Sequence, residues 1–302
     1  MKTKQRRSSR GGPAAGRSRR RVRLGSHISI AGGVDRAVLT AREVGCEALQ
    51  IFVKSSNQWR AAPFREGEVE RFRSNLEATG LGPVVAHDSY LINLCSPDDA
   101  LWEKSVGAFE VDLDRCEALG VPFLVTHPGS HLGSGEEAGL SRLARAIDRV
   151  HSRRPEQKVK ILLETTAGQG SGLGHRFEHL SAVLRRVDDP VRVGVCLDTC
   201  HVFAAGYDLR TPRGYRETLD RFESVVGLGK LMAIHLNDSK RELGSRVDRH
   251  DQIGKGQLGV EAFRLLVNDP RLVDVPMVLE TPKGPDYAED RVNLALLRSL
   301  IR

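Results

Sequence analysis

The sequence has few cysteines, no long apolar run and no acidic residue near its amino terminus. Five cysteines in 302 residues are too few and too scattered for a disulfide framework, so we expect a reducing compartment. No stretch approaches the ~18 consecutive apolar residues of a membrane span. The amino-terminal segment also lacks the apolar core of a secretory signal. These absences predict a globular, cytoplasmic protein that does not associate with a membrane.

Charge is unevenly distributed along the chain. Residues 1–23 contain ten basic residues and no acidic one, whereas the whole chain has a formal net charge of +7, so the rest carries −3. We expect residues 1–23 to form a disordered basic tail that adds nonspecific attraction to polyanions, with a tail without function as the alternative. Residues 24–302 are expected to form one domain, because single α/β barrels commonly reach about 250 residues.

Eight short apolar runs alternate with eight segments of helical spacing. The runs cover residues 27–31, 48–53, 84–87, 123–127, 160–164, 193–198, 231–237 and 276–280. The helical segments cover residues 34–44, 68–77, 102–119, 140–151, 177–186, 215–228, 260–266 and 291–300. Apolar strands that are each followed by a helix are typical of a parallel sheet buried on both faces. Eight such units predict a single (β/α)8 TIM barrel with its active site at the C-terminal ends of the strands, and an open doubly wound sheet is the alternative.

Six of the apolar runs end in a residue that can bind a metal ion. These residues are His87, His127, Glu164, Asp198, His235 and Glu280. A barrel brings the carboxyl ends of its strands to one face, so the six side chains are expected to converge. Each of them would carry a desolvation cost at the end of a buried strand unless it were paired, hydrogen-bonded or metal-bound. The pattern therefore predicts a metal centre.

Three further candidates follow the sixth and seventh strands. His201 lies three residues after Asp198, and Asp248 and His250 form a D-x-H pair in a polar loop. Residues two apart in an extended loop point the same way, so this pair can hold one ion, which His201 could complete. Nine candidates with both imidazole and carboxylate groups favour several ions, and zinc rather than magnesium. Three divalent ions against four carboxylates would leave +2, which predicts an anionic substrate such as a phosphodiester.

The other histidines and two of the cysteines receive different predictions. His27 is predicted to be a hydrogen-bond partner at the floor of the site. Four histidines that do not end strands are predicted to lie in loops or on helix surfaces, namely His131, His151, His175 and His179. Cys196 and Cys200 are predicted to pack beside the sixth strand, because C-x3-C spacing without a second pair is a weak zinc signal.

Several long motifs resemble one known family. They are GSHISIAGG, HDSYLINL, THPGSHLGSG, LLETTAGQGSGLG, CLDTCHVFAAGYD, IHLNDSK, DRHDQIGKG and LETP. Together they resemble endonuclease IV, the metal-dependent apurinic/apyrimidinic endonuclease family, from about residue 25 to the carboxyl terminus. The resemblance implies a TIM barrel with three zinc ions per chain that acts in DNA repair. It would cleave duplex DNA on the 5′ side of an abasic site, leaving a 3′-hydroxyl and a 5′-deoxyribose phosphate. We expect a monomer.

The resemblance also implies roles for the nine metal-binding candidates. It implies that His87 and His127 hold one zinc together with Glu164, which bridges to a second zinc. It implies that the second zinc is completed by Asp198, His235 and Glu280, and that the third is held by His201, Asp248 and His250. Among these residues, Glu164 and Glu280 are the candidate catalytic groups.

Candidate DNA contacts follow from the same resemblance. Tyr90 resembles the tyrosine that the family inserts into DNA at the lesion. In the loop after the second strand, Asn57 stands where some members have an arginine. The resemblance therefore does not imply that a charged side chain is inserted into DNA at this position. We retain Asn57 and Gln58 as candidates that could fill space or form hydrogen bonds with DNA.

Two other functions are compatible with parts of the pattern. A sugar isomerase or epimerase on a related barrel would use a metal ion to polarise a carbonyl group. Such a site does not require the third donor group of His201, Asp248 and His250. A DNA-binding barrel without catalysis would leave the carboxylates unexplained, because a groove that binds a polyanion without metal should not be lined with acids.

Overall fold

The computed structural model describes residues 22–302; residues 1–21, which hold most of the predicted tail, lie outside the described residues. The strands are β1 (Arg23–His27), β2 (Ala48–Phe52), β3 (Val84–His87), β4 (Phe123–Thr126), β5 (Lys160–Glu164), β6 (Val193–Asp198), β7 (Leu231–His235), β8 (Asp238–Ser239), β9 (His250–Asp251) and β10 (Pro276–Leu279). The helices are α1 (Val34–Val44), α2 (Glu68–Thr79), α3 (Asp99–Leu119), α4 (Glu136–Arg153), α5 (Phe177–Arg186), α6 (Thr199–Ala204), α7 (Pro212–Val225), α8 (Gly259–Val267) and α9 (Ala288–Leu300).

Eight of the strands close into a parallel barrel. Their order around the barrel is β1-β10-β7-β6-β5-β4-β3-β2, and each neighbouring pair is parallel. The two short strands β8 and β9 form a separate antiparallel pair within the loop after β7. This arrangement confirms the predicted (β/α)8 barrel and excludes the open sheet. Within residues 22–302, no helix combines the length and apolar character that crossing a membrane requires.

The core has two apolar regions, one inside the barrel and one between the barrel and its helices. The inner cluster contains Val85, Val125, Leu162, Cys196 and Ala233, one residue from each of five adjacent strands. Side chains alternate across a strand, so residues two positions further along also point into the barrel. This periodicity directs the residues at the carboxyl ends of the strands into the barrel mouth.

The first strand lies four residues earlier than the sequence predicts. The predicted run covers residues 27–31, whereas β1 spans Arg23–His27 and includes Gly25 and Ser26. A side chain at Gly25 would place its Cβ 1.9 Å from the carbonyl oxygen of Ala48, so the neighbouring strand leaves room only for glycine. Because this strand contains small residues instead of large apolar ones, a search for apolar runs does not detect it. The barrel therefore includes Arg23, which the charge pattern alone places in the tail.

Candidate metal centre

Six candidate ligands lie at the mouth of the barrel because of strand periodicity. His87, His127, Glu164, Asp198 and His235 each follow a residue of the inner apolar cluster by two positions. Glu280 occupies the same place after β10. The structure therefore brings together all six residues that end predicted strands.

The first donor group consists of His87, His127 and Glu164. The Nε2 atoms of both histidines lie 3.1 Å from Oε2 of Glu164. One donor atom from each of the three residues lies within 4.8 Å of the others. Two imidazole nitrogens and a carboxylate oxygen form a ligand set that suits zinc.

The second donor group shares Glu164 with the first. Oε1 of Glu164 lies 3.0 Å from Nδ1 of His235, while Oε2 of Glu280 lies 3.1 Å and Oδ2 of Asp198 3.8 Å from the same nitrogen. The four residues each offer a donor atom within 4.8 Å of the rest. Because its two oxygens face different groups, the Glu164 carboxylate is placed to bridge two ions.

The third donor group is assembled from α6 and the loop that contains β9. Nε2 of His201 and Nε2 of His250 each lie 3.2 Å from an oxygen of Asp248. Asp198 begins α6 by accepting a 2.8 Å hydrogen bond from the backbone of His201. The buried carboxylate of Asp238 stabilises the loop by accepting hydrogen bonds from the backbone N–H groups of Gly254 and Leu258. These contacts hold in place the two segments that carry the group, the start of α6 and the loop that contains β9.

Four of the five histidines have a hydrogen-bond partner that fixes the position of their proton. The bonds are His87 Nδ1 to Asp88 O (2.9 Å), His201 Nδ1 to Thr165 O (2.8 Å), His250 Nδ1 to Glu280 O (3.2 Å) and His235 Nε2 to Gln50 Oε1 (2.7 Å). These oxygens can only accept, so each bonded ring nitrogen donates, and in the neutral form of the ring the other nitrogen can offer its lone pair to a metal ion. Metal-binding histidines are usually oriented in this way. Nε2 of His250 is buried and faces the carboxylates of Asp248 (3.2 Å) and Asp198 (3.7 Å), an environment that fits a cation.

Charge inside the centre is balanced between imidazoles and carboxylates. Burial raises the pKa of Glu164, but the neighbouring His235 and His127 outweigh that effect and hold the pKa well below its usual range. Burial lowers the pKa of His87, whereas the hydrogen bond and charge of Glu164 raise it to about 9. The same compensation raises the pKa of His250 to about 9, chiefly through Asp198. The carboxylates thus stabilise positive charge at these nitrogens, and a bound metal ion would replace protons there.

Two buried amides in the centre were not predicted from the sequence. Besides binding His235, the side chain of Gln50 donates hydrogen bonds to Glu280 and to Nδ1 of His27. Asn237 donates to Asp198 over 2.6 Å and accepts from the backbone of Glu280 over 2.9 Å. Gln50 could have been found, because it is the polar residue inside the otherwise apolar strand ALQIF.

His27 and Cys200 lie beside the centre. His27 accepts a 3.0 Å hydrogen bond from Gln50, which agrees with its predicted place at the floor of the site. Sγ of Cys200 lies within 4.8 Å of donor atoms of Asp198 and His250. Burial raises the pKa of Cys200 to about 12, so its thiol form is favoured and the residue packs beside the strand as predicted.

A further histidine cluster lies outside the centre and corrects one prediction. His179 is buried, although the sequence suggested a helix-surface residue, and its Nε2 lies 3.2 Å from Glu136. Nδ1 of His179 accepts from the backbone of Gly174, so the neutral ring carries its proton on the nitrogen that faces Glu136. His175 donates to the carbonyl of Gly172. The cluster therefore stabilises the loop of residues 168–174. His151, also expected at the surface, is buried as well.

Tyr90 stands between two cavities that flank the centre. Its side chain is 61% exposed and contacts the ring of Phe52 edge-on, with the two ring centroids 5.4 Å apart. One cavity of about 790 Å³ is lined by Tyr90, His250 and Glu280, and another of about 380 Å³ by Tyr90, His127 and other residues. Asn57 and Gln58 are exposed in the loop after β2. The three candidate DNA contacts thus remain accessible to a large ligand.

A buried ion pair connects the loops that carry these residues. Nζ of Lys54 pairs with Asp112 of α3, and both side chains are buried. Asp112 also accepts from the backbone of Ser89, whose hydroxyl donates to the carbonyl of Ser56 over 2.6 Å. The loop after β2 and the loop after β3 are therefore held against the same helix.

Comparison with known proteins assigns the chain to a family. A profile described as "Xylose isomerase-like TIM barrel" matches residues 38–300. The protein named "Probable endonuclease 4" from Chloroflexus aurantiacus (strain ATCC 29366 / DSM 635 / J-10-fl) is 55% identical over 280 residues, which cover 93% of this chain and 98% of that protein. The chain belongs to the endonuclease IV family. The resemblance seen in its motifs is thereby confirmed.

Solved structures agree with this membership of the endonuclease IV family. Endonuclease IV from Thermus thermophilus is 41% identical with a TM-score of 0.82, covering 92% of this chain and 98% of that one. A D-tagatose 3-epimerase-like protein also aligns, with a TM-score of 0.69 over 92% of this chain and 97% of its own, but at 15% identity. The second match shows a shared fold alone.

Proposed function

We propose that the protein is a DNA repair endonuclease that hydrolyses the phosphodiester bond 5′ to an abasic site in duplex DNA. The products would be a 3′-hydroxyl and a 5′-deoxyribose phosphate. The observation that carries this proposal is the convergence of three donor groups, two of which share Glu164, in a member of the endonuclease IV family. All nine donor residues come from one chain, so a monomer would contain a complete centre.

Three zinc ions would fit the three donor groups. His87, His127 and Glu164 would hold the first; Glu164, Asp198, His235 and Glu280 the second; and His201, Asp248 and His250 the third. The hydrogen bonds that orient four of the histidines towards the centre, and the carboxylates that face the buried Nε2 of His250, support this assignment. When bound, zinc ions supply Lewis acidity that activates water and stabilises negative charge on a phosphate.

The residues of the chain would position the reacting groups around that centre. Glu280 faces the larger cavity, and its carboxylate is oriented by Gln50 and His235, so it would hold an ion and orient an attacking water. Glu164 is inaccessible to solvent, and its role would be to hold two donor groups at a fixed separation. Asn237 would hold the carboxylate of Asp198 and the backbone of Glu280 in fixed positions relative to each other through its two hydrogen bonds.

Recognition of the lesion would depend on Tyr90. An abasic site lacks stacking on one side, so inserting an aromatic ring there costs less than at an intact base step. The position of Tyr90 between two cavities at the centre supports this role. Asn57 and Gln58 would contact the duplex from the neighbouring loop.

The proposal predicts products that can be distinguished from those of other chemistries. A labelled duplex with one abasic site is incubated with zinc-loaded protein, and the ends are identified by mass spectrometry and by extension with a polymerase. Hydrolysis at the proposed bond gives an extendable 3′ end. An unsaturated sugar fragment at the 3′ end, or cleavage of undamaged duplex at an equal rate, would contradict it. Protein with Glu280→Gln, purified in the same way, controls for contaminating nucleases.

A further inference from the structure

Leu132 occupies a turn that leucine rarely adopts. The backbone N–H of Ser134 donates to the carbonyl of His131 over 2.9 Å, which closes a four-residue turn. Its two central residues have positive φ, 47° at Leu132 and 94° at Gly133. Turns with two left-handed central residues favour asparagine, aspartate or glycine at the first of them, because a Cβ is strained there. Leucine at this position therefore does not stabilise the turn.

The side chain of Leu132 does not stabilise the fold by burial either. It is 56% exposed, whereas most leucines in the described part of the chain lie in the core. An exposed leucine alone is ordinary, but an exposed leucine on a strained backbone carries two unfavourable contributions at once. A contact outside the chain would account for both.

The surrounding loop holds Leu132 in a fixed place. Nδ1 of His131 accepts hydrogen bonds from the backbone of Gly133 (3.3 Å) and Gly135 (3.1 Å). The backbone of His131 donates to Ser171 over 3.1 Å. The loop is therefore anchored to the neighbouring loop of residues 168–174, and the turn presents a pre-positioned apolar group rather than a mobile one.

The turn also lies on the face that contains the metal centre. It follows β4 and His127, and precedes α4, so it belongs to the loops at the carboxyl ends of the strands. Gly129 and Ser130, just before the turn, line the smaller cavity together with Tyr90 and His127. A duplex bound across this cavity would come within reach of Leu132.

We infer that Leu132 is a DNA-contacting residue that packs against the apolar faces of deoxyribose rings and base edges beside the bound lesion. This inference rests on the proposed function, because it takes duplex DNA as the ligand. Apolar side chains are used in this way by proteins that open or bend a duplex, where they fill space between sugars and base steps. Leu132 provides binding energy and does not take part in the chemistry.

The substitution Leu132→Asn separates this role from a structural one. Asparagine suits the left-handed turn, so the melting temperature should stay unchanged or rise by about 2 °C. Loss of the apolar contact should raise KM for abasic duplex roughly tenfold, with kcat unchanged because all metal donors remain. Leu132→Met keeps an apolar side chain and should restore KM to within about twofold of wild type.

A salt series tests whether the loss involves ionic contacts with phosphates. Leucine carries no charge, so the slope of log KM against log salt should be the same for Leu132→Asn and the wild type. Val191→Asn is the matched control, since Val191 is 70% exposed and lies just before β6 at the opposite end of the barrel. It should leave KM and kcat at their wild-type values.

Two results would overturn the inference. One is an unchanged KM in Leu132→Asn while the wild type cleaves abasic duplex, which removes Leu132 from the DNA contacts and leaves the proposed function intact. The other is a fall in melting temperature with a parallel loss of kcat, which shows a structural role. If the wild type does not cleave abasic duplex at all, the proposed function itself fails, and the inference fails with it.

Discussion

The substitution Glu280→Gln tests the second donor group with little change in shape. Oε1 of Glu280 accepts a hydrogen bond from Gln50, and Oε2 lies 3.1 Å from Nδ1 of His235. A glutamine must direct its NH2 group towards one of these neighbours. Facing Gln50 it would oppose another donor, and facing His235 it would occupy the space proposed for an ion. Either orientation weakens the group, whose three carboxylates are reduced to two.

The expected loss is in turnover rather than in folding. The backbone contacts of residue 280 with Asn237 and His250 do not involve the side chain, so the barrel should remain folded. If Glu280 holds an ion and orients the attacking water as proposed, its loss should lower kcat at least about 10³-fold, which corresponds to ~4 kcal/mol of transition-state stabilisation. Initial rates on a saturating abasic duplex at saturating zinc measure this loss.

A matched variant controls for a general effect of removing one carboxylate. Glu103→Gln removes an exposed charge on α3 that pairs with Arg149 and belongs to none of the three donor groups. Its rate should equal that of the wild type. If Glu280→Gln retained more than roughly a tenth of the wild-type rate under the same conditions, Glu280 would be peripheral and the catalytic assignment would be wrong.

Three further predictions concern recognition, pH and the tail. Tyr90→Ala should weaken binding to abasic duplex more than to undamaged duplex, and equal losses in titrations at one salt concentration would remove Tyr90 from recognition. Burial and the nearby Arg192 lower the pKa of His151 from 6.5 to about 4, so neutral His151 stabilises the fold above pH 6.5 and that stability is lost as pH falls towards 4. When the pH is lowered from about 7.5 to 5, the free energy of unfolding of the wild type should therefore fall by about 1–2 kcal/mol more than that of His151→Leu, as measured by urea titration. Equal decreases in the two proteins would contradict this. A shortened chain beginning at Val22 should keep its kcat but show a shallower dependence of duplex affinity on salt, whereas identical slopes would mean that the tail does not contact DNA.

The sequence predicts the barrel and the positions of the candidate metal donors because both depend on simple periodicity. Buried parallel strands need apolar residues, so a histidine or carboxylate at the end of such a strand is conspicuous, as at Glu164 and His235. A pair of donor residues two apart at the start of β9 is similarly visible, and Asp248 and His250 do lie together. Both features can be recognised from residues that are close together in the sequence, and these residues keep the same relative positions in the folded protein.

Other parts of the site depend on tertiary packing that local spacing does not reveal. Strand β1 contains Gly25, where the neighbouring strand leaves no room for a side chain, and Ser26, which hydrogen-bonds to Asp290, so an apolar pattern misplaces the strand. Asn237 follows β7 as one more polar loop residue, and only the folded chain shows that it joins Asp198 to Glu280. His179 likewise becomes buried through contacts made by α4 and α5.

The number of zinc ions needed for activity tests the central claim most directly. Chelated protein is titrated with zinc, bound ions are counted by native mass spectrometry, and cleavage of abasic duplex is measured at each step. The three donor groups predict three zinc ions per chain, with full activity only after the third has bound. Full activity with one or two ions would contradict the account, because the group of His201, Asp248 and His250 would then not be part of the catalytic centre.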